Sequence, residues 1–208
     1  MKSDLPGAAK FLPADKSLPS MRDAVQDCKG CDLYEFATQA VFSEGKKRAP
    51  IAFIGEQPGS EEDIQGRPFV GPAGKLFDRA LKEAGIDRSK VYITNAVKHF
   101  KFEERGKRRI HKKPTTGETK ACRPWLEAEM FIVKPEVLVC LGATAALSVF
   151  GPAYRVTKER GTFVEHPWCA KATSTIHPSA VLRALPEDRE REFQLLVDDL
   201  KKIAKASK

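Results

Sequence analysis

Four short runs of apolar and β-branched residues constrain the fold of this chain more than any other feature. They cover residues 51–54, 91–97, 137–141 and 172–176. Segments with helical patterns lie between and after them, at residues 75–84, 116–133, 143–150 and 186–204. Strands that alternate with helices predict parallel βαβ units. The expected fold is therefore α/β, a three-layer α/β/α sandwich with a central four-stranded parallel sheet.

The length of 208 residues suits one domain, so we expect a single domain over residues 1–208. Residues 1–20 mix Pro, Gly, Lys and Asp with little periodicity, which predicts an irregular arm. They also lack the apolar core of a secretion signal, and no stretch of the chain approaches the ~20 apolar residues of a membrane span. A cytoplasmic protein without a membrane partner is expected.

The formal net charge of +8 bears on the partner of this protein. An excess of Lys and Arg favours an acidic partner, with nucleic acid as the first candidate. A generically basic surface explains the same excess about equally well. Charge alone therefore leaves both interpretations open.

One loop, residues 105–114, combines positive charge with a candidate catalytic group. Lys107, Arg108 and Arg109 come shortly before His111, and further cations lie on both sides. A loop that only held phosphate would not need an imidazole, and a loop acting on a small neutral molecule would not need a run of cations. The combination predicts that His111 delivers a nucleophile or an acid–base group to a polyanion.

The loops after the strands hold the other candidates, because ligands of parallel sheets bind beyond the carboxyl ends of the strands. The turn at residues 55–59 has glycines and a proline, so its backbone N–H groups can approach a ligand. Phe69 could stack on a planar base, although a core phenylalanine is the more frequent case. Asn95 could match the polar edge of a base, or only tie down a loop. His177 could stabilise an oxygen that gains charge, although a lone loop histidine is more often structural.

The spacing of the cysteines indicates metal ligation. Cys28 and Cys31 are separated by two residues, a spacing that favours metal binding or redox chemistry over a disulfide framework. Cys122 could be a third ligand, and His99 is the remaining donor for a four-coordinate site. The cysteines at positions 140 and 169 are expected to be a buried apolar residue and a loop residue without a partner.

Taken in order, these motifs resemble the uracil-DNA glycosylase superfamily, and within it the UdgX branch. The resemblance covers roughly residues 28–200. Family 4 enzymes of the superfamily usually read Gly-Glu-Ala-Pro-Gly in the first motif, whereas this chain has Gln57, as UdgX proteins do. The motifs Phe-Val-Gly-Pro-Ala-Gly, Thr-Asn-Ala-Val-Lys and His-Pro-Ser are also present, and Lys-Arg-Arg-Ile-His is the diagnostic one.

The resemblance implies a DNA-repair enzyme that flips uracil out of DNA and cleaves its N-glycosidic bond. In the UdgX branch the histidine of the basic loop then attacks the sugar, so His111 would become attached to C1′ of the abasic deoxyribose in a single turnover. Glu56 would accept a proton or orient His111, or only cap its own turn, and His177 would stabilise charge on the uracil oxygen. The expected catalytic residues are His111, Glu56, His177 and Gln57.

The resemblance also implies a uracil pocket, DNA contacts and a cofactor. The expected pocket residues are Gly55, Gln57, Phe69, Asn95 and His177. The expected DNA contacts are Lys107, Arg108, Arg109, Ser179 and Arg183. A [4Fe–4S] cluster is expected on Cys28, Cys31, His99 and Cys122, with His99 at the place of a family 4 cysteine.

The expected partner is uracil-containing DNA, preferably single-stranded, and the expected protein is a monomer. Two alternatives stay open at this point. One is a conventional hydrolytic family 4 uracil-DNA glycosylase, which would release free abasic product and turn over. The other is a non-catalytic uracil-DNA binding protein, which would release no base.

Overall fold

A computed structural model describes residues 5–207, and its strands form one five-stranded sheet and one hairpin. The strands are β1 (Ile51–Gly55), β2 (Tyr92–Asn95), β3 (Phe102–Arg105), β4 (Arg108–His111), β5 (Val137–Leu141), β6 (Val164–His166) and β7 (Cys169–Thr175). The sheet has the order β2-β1-β5-β7-β6. Its first four strands are parallel, as the alternating pattern predicts.

The expected four-stranded sheet is wrong by one strand, because β6 joins the edge and pairs antiparallel with β7. This strand has only three residues, and Val164 and Glu165 are exposed. So short a strand shows neither a buried apolar run nor an alternation, which are the signals that mark a strand in a sequence.

Eight α-helices accompany the strands in the described residues. They are α1 (Leu18–Ala24), α2 (Ser60–Gln65), α3 (Pro72–Glu83), α4 (Thr116–Val133), α5 (Ala143–Phe150), α6 (Val156–Glu159), α7 (Pro178–Arg183) and α8 (Arg189–Ala206). Short 3-10 turns occur at Ala9–Phe11, Val25–Asp27, Asp32–Glu35 and Arg88–Lys90. No helix in residues 5–207 is both long and apolar enough to cross a membrane.

Helices cover both faces of the sheet, because successive side chains of a strand point to opposite sides. Phe53 packs with the apolar faces of α3 and α8. Its neighbours Ala52 and Ile54 pack instead with residues of α4 and α5. The three-layer α/β/α sandwich is therefore confirmed.

A third apolar cluster lies beside the sandwich and contains three of the cysteines. It joins α1, the 3-10 turns at Val25–Asp27 and Asp32–Glu35, and one face of α4 between Ala121 and Ile132. The arm predicted for residues 1–20 packs onto this cluster, since Ala8 is fully buried and donates its N–H to the carbonyl of Ala121. The arm is also more regular than expected, because α1 begins at Leu18; residues 1–4 lie outside the described part.

The basic loop predicted at residues 105–114 is largely a β-hairpin. Strands β3 and β4 pair antiparallel, with Phe102 opposite His111 and Arg105 opposite Arg108. Gly106 takes the left-handed conformation, with φ +59°, that the tight turn requires. His111 is thus the last residue of a strand, and its position depends on how the hairpin is anchored.

Candidate active site

The carboxyl ends of the parallel strands bring most of the predicted site residues to one edge of the sheet. Glu56 follows β1, Asn95 ends β2, and His177 comes shortly after β7. The end of β5 contributes Gly142, whose missing Cβ leaves room for His177, because a Cβ there would lie 2.8 Å from that of His177. The hairpin adds His111 from outside the sheet.

The floor of the site is formed by Gly55, Phe69 and Asn95. A Cβ on Gly55 would lie 2.3 Å from Asn95 Oδ1 and 2.8 Å from Phe69 Cζ, so only glycine fits between them. Phe69 has φ +56°, a left-handed backbone that is strained for an aromatic residue. Its ring lies 5.9 Å from that of His177. Strain of this kind is typical of residues whose side chains are held for a ligand.

Asn95 offers an unused hydrogen-bonding atom at this floor. Its side chain is 1% exposed, and its Oδ1 has no hydrogen-bond partner among the described residues. A buried amide oxygen without a partner is costly, and such groups call for an explanation such as a ligand. The geometry therefore offers the amide of Asn95 to the polar edge of a small planar molecule.

Glu56 and His111 are in contact across the edge. Glu56 Oε1 lies 3.2 Å from His111 Nε2, and the hydroxyl of Thr144 donates to the other carboxylate oxygen. Burial raises the pKa of Glu56, but the hydrogen bonds from His111 and Thr144 outweigh it and hold the pKa below the usual value. An ionised carboxylate therefore faces an imidazole whose side chain is 51% exposed.

The hydrogen bonds of His177 fix its tautomer. The backbone N–H of Ser179 donates to His177 Nδ1 over 3.1 Å, so Nδ1 is the unprotonated nitrogen of the neutral ring. The proton of the neutral ring is then on Nε2. Burial lowers the pKa of His177 to about 4, against a smaller opposing effect of Glu56. His177 is therefore a neutral N–H donor at neutral pH.

Gln57 lies beside the site, but its amide is used by the hairpin. Nε2 donates to the carbonyls of Lys101 and Lys112, at 3.2 and 2.9 Å, and Oε1 accepts from the N–H of Lys101 at 3.0 Å. These residues flank β3 and β4, so Gln57 ties both ends of the hairpin to the turn after β1. The structure gives the amide of Gln57 a positioning role, and its expected contact with uracil stays a prediction.

Arg109 is also bonded to the protein itself, and its expected DNA contact stays a prediction. Its guanidinium lies 2.5 Å from the buried carboxylate of Asp63 and donates to the carbonyl and hydroxyl of Ser60. The same group lies over the rings of Phe100 and Phe102. Arg109 therefore anchors the hairpin to the start of α2.

Other expected DNA contacts lie on the surface around the site. Lys107 and Arg108 are exposed at the tip of the hairpin, and neither has an ion-pair partner among the described residues. Ser179 accepts a hydrogen bond from Arg183 over 2.8 Å, so these two side chains form a connected pair beside His177. Their arrangement leaves them available to a phosphate.

Comparison with known proteins identifies one family that matches the segment carrying these site residues. Residues 42–201 match the uracil DNA glycosylase superfamily. The chain belongs to this superfamily.

Similarity to individual proteins extends over most of the chain. A type-4 uracil-DNA glycosylase of Thermotoga maritima is 40% identical over 183 residues, which cover 86% of this chain and 89% of that protein. Type-4 enzymes of Sulfurisphaera tokodaii and Archaeoglobus fulgidus are 37% and 34% identical, over 90% and 86% of this chain and 83% and 91% of those proteins.

Thr144 and Asp63 are site residues of this superfamily member that sequence reasoning missed. The loop after β5 was predicted to reach the edge, yet no chemical role was assigned in it. Thr144, in the first turn of α5 directly after that loop, donates to Glu56, and Asp63 holds Arg109. Position after a strand is a signal for Thr144, whereas nothing in the sequence marks Asp63 as the partner of a distant arginine.

Three of the predicted metal ligands are buried in the third apolar cluster. Cys28, Cys31 and Cys122 belong to it, and burial raises the pKa of Cys31 to about 11 and that of Cys122 to about 12. N–H groups point at two of the sulfurs: Trp125 Nε1 lies 3.2 Å from Cys28 Sγ, and the backbone N of Lys98 lies 3.3 Å from Cys122 Sγ. Donors of this kind suit thiolate ligands of an iron–sulfur cluster.

The fourth predicted ligand, His99, is buried near a different group. Its pKa is lowered to about 4 by burial, and Asp63 is the charge that opposes this shift. Within residues 5–207, no three or more His, Cys, Asp and Glu side chains lie close enough together to hold a metal ion. The donor chemistry of the three cysteines fits a cluster, and the place of His99 in it stays a prediction.

Proposed function

We propose that this protein is a uracil-DNA glycosylase of the UdgX kind, which excises uracil and then becomes covalently attached to the DNA through His111. The similarity to type-4 uracil-DNA glycosylases supports the first part of this proposal, the excision of uracil. The contact of 3.2 Å between Glu56 Oε1 and His111 Nε2 carries the second part. A histidine that only bound phosphate would not need a partly buried carboxylate beside it.

Uracil recognition is assigned to the floor of the site. The ring of Phe69 stacks on the flipped base, and Gly55 keeps the space below it narrow. Asn95 offers an amide oxygen and an amide N–H, which match a donor beside an acceptor on uracil but not on cytosine. The unused Oδ1 of Asn95 supports this assignment. Extrusion of the base costs a few kcal/mol, which contacts to the DNA backbone offset.

Bond cleavage places negative charge on uracil and positive charge on the sugar. The bond between C1′ and the base nitrogen breaks, and its electron pair leaves with uracil. The Nε2–H of His177 stabilises the charge that develops on the uracil oxygen. Its neutral state supports this role, because a neutral donor does not hand a full proton to the leaving group.

Capture of the sugar is assigned to His111. A nitrogen of the neutral imidazole attacks C1′, and a new C–N bond forms as the ring gives up its proton. Glu56 accepts that proton or holds the ring in the required tautomer, in the role of a third group that orients a nucleophile. Thr144 supports Glu56 through its hydrogen bond.

DNA contacts are assigned to Lys107, Arg108, Ser179 and Arg183, with uracil-containing single-stranded DNA as the preferred substrate. The exposed hairpin tip supports the first two. A [4Fe–4S] cluster is assigned to Cys28, Cys31, Cys122 and His99. When bound, such a cluster cross-links the segments that carry its ligands. No step of uracil excision is assigned to it.

The test is a denaturing gel of the protein mixed with a uracil-containing single-stranded oligonucleotide. We expect a shifted band that survives heat and SDS. Its amount should not exceed one DNA molecule per protein molecule, because each protein reacts once. His111→Ser should lose this band and release uracil with turnover. Free abasic product without a shifted band would identify a conventional hydrolytic enzyme, and bound DNA without base release would identify a binding protein. Retained cross-linking in His111→Ser would clear His111 of the role.

A further inference from the structure

A second basic surface lies at the opposite edge of the sheet and is not used by the proposed mechanism. We call it the amino-edge groove and define it by Lys16, Lys47, Arg48, Phe131 and Lys134. Two adjoining cavities of about 980 and 730 Å³ form it, and Lys16, Phe131 and Lys134 line both. The segments that carry Arg48 and Lys134 lead into β1 and β5, whereas the active site follows the other ends of these strands.

The cations of the groove exceed its available carboxylates. Within residues 5–207, none of the four has an ion-pair partner, and all four are exposed. One of the lining carboxylates, Glu127, is paired with Arg123, whereas the hydroxyls of Ser17 and Ser20 hydrogen-bond to Asp15 without removing its charge. Asp15, Glu136 and Glu165 are left, so the four cations exceed the available carboxylates by one. The remaining positive charge favours an anionic ligand.

Two of the groove cations have a backbone conformation that lysine and arginine rarely adopt. Arg48 has φ +63° and Lys134 has φ +49°, and the only other non-glycine residue with positive φ in residues 5–207 is Phe69 of the active site. Lys134 ends α4 at a position where glycine is the usual residue. Such strain is typical of ligand sites, so its concentration here indicates that these two side chains are needed.

The groove also exposes an aromatic ring beside its cations. Phe131 is 70% exposed, and the Nζ of Lys134 lies 5.3 Å from the centre of its ring. Surfaces that bind single strands combine a positive groove for phosphates with aromatic rings on which bases stack. An acidic peptide would use the charges but would gain nothing specific from the ring.

We propose that the amino-edge groove binds a segment of single-stranded nucleic acid, with Phe131 stacking on a base and the groove cations contacting phosphates. Strand β1 has five residues, so this groove and the active site are separated by roughly 16 Å along the sheet. One short oligonucleotide occupies either surface. A longer strand passes round the molecule and occupies both, which holds the DNA while the catalytic edge samples its bases.

The experiment measures binding of fluorescent oligothymidylates of about 8 and about 30 nucleotides, which contain no uracil, across a range of salt concentrations. The variant is Lys47→Glu/Arg48→Glu/Lys134→Glu. The control is Lys82→Glu/Lys201→Glu/Lys205→Glu, which makes the same change of charge on exposed helical lysines that do not line the groove. Phe131→Ala tests stacking, and Phe131→Trp should restore it.

We expect the groove variant to bind the long oligonucleotide at least about tenfold more weakly, with a salt slope reduced by about 2, while the control changes it about twofold. Phe131→Ala should weaken binding about fivefold or more at unchanged net charge. Equal losses in variant and control would overturn the proposal. Full competition by a polyglutamate peptide, to the same extent in the wild type and in Phe131→Ala, would also overturn it. That result would assign the groove to an acidic protein segment. None of these readouts depends on uracil excision, so the proposed function can fail independently.

Discussion

At the scale of single residues, His177 links the chemistry of the site to the stability of the fold. Its folded pKa of about 4 lies below the ordinary value of 6.5 because its ring is buried. Between these two values the unfolded chain binds a proton that the folded chain does not, so stability falls as the pH falls. We expect about 3 kcal/mol of the free energy of unfolding to be lost between roughly pH 6.5 and pH 4 on this account.

Urea unfolding of the wild type and of His177→Gln at several pH values measures this contribution. The variant keeps a polar side chain but has no group that titrates in this window. The difference in unfolding free energy between the two proteins should therefore shrink as the pH falls and level off near pH 4. A difference that is independent of pH would contradict the buried, neutral state of His177.

At the scale of elements, the position of His111 depends on the two anchors of the hairpin. Arg109→Ala removes the partner of Asp63, whose side chain is fully buried. An unpaired buried carboxylate is costly, so we expect about 3 kcal/mol of destabilisation, measured by urea unfolding. Attack on the sugar should slow as well, because the hairpin loses its tie to α2.

The neighbouring residue supplies the control for this prediction. Arg108→Ala removes the same charge from an exposed position one residue away, so it should weaken DNA binding and leave stability nearly unchanged. Asp63→Asn added to Arg109→Ala should recover part of the lost stability, because the buried group is then neutral. If Arg109→Ala and Arg108→Ala behaved alike, the anchoring role would be wrong.

Most elements were predictable from the sequence because periodicity reports burial. Strands β1 and β5 are buried apolar runs, and α4 and α5 have the predicted bounds Thr116–Val133 and Ala143–Phe150. The hairpin was missed because its strands are short, largely exposed and rich in charged residues. They therefore show no apolar run or alternation that would mark them as strands. The roles of Gln57 and Arg109 were missed for a different reason. Their partners, Lys101 and Lys112 for one and Asp63 for the other, are distant in sequence and meet only in the fold.

At the scale of the whole molecule, Lys98 connects the three cysteines of the third apolar cluster with the proposed uracil pocket. Its backbone N–H contacts Cys122 Sγ, while its side chain donates to the hydroxyl of Thr94 and the carbonyl of Asn95. The ammonium group also pairs with Glu129, and both side chains are fully buried. A buried pair of this kind tolerates little displacement, because either charge alone would be costly. A displacement of the three cysteines should therefore also displace Asn95.

Cys28→Ser tests this connection together with the assigned iron–sulfur site. Serine is a poor ligand for such a cluster, so protein purified without oxygen should lose its brown colour and most of its iron. The arm at residues 5–17 packs on the third apolar cluster and should become more sensitive to protease. Its anchoring contacts at Gly30 and Ala121 belong to the segments that the iron–sulfur cluster would cross-link. Uracil-DNA should bind more weakly as Asn95 loses its fixed position.

Cys169→Ser is the matched control, since Cys169 is partly exposed and its Sγ contacts only the carbonyl of Lys171 among the hydrogen bonds of the described residues. It makes the same chemical change outside the third apolar cluster and outside the active site, so iron, protease resistance and uracil-DNA binding at the active site should all be retained. Colourless, iron-free wild-type protein would reject the cluster outright. Loss of iron in Cys28→Ser with unchanged DNA binding would keep the cluster but remove the coupling through Lys98. The two variants thus separate the cofactor from its effect on the pocket, to which Lys98 connects Cys122 through both its backbone and its side chain.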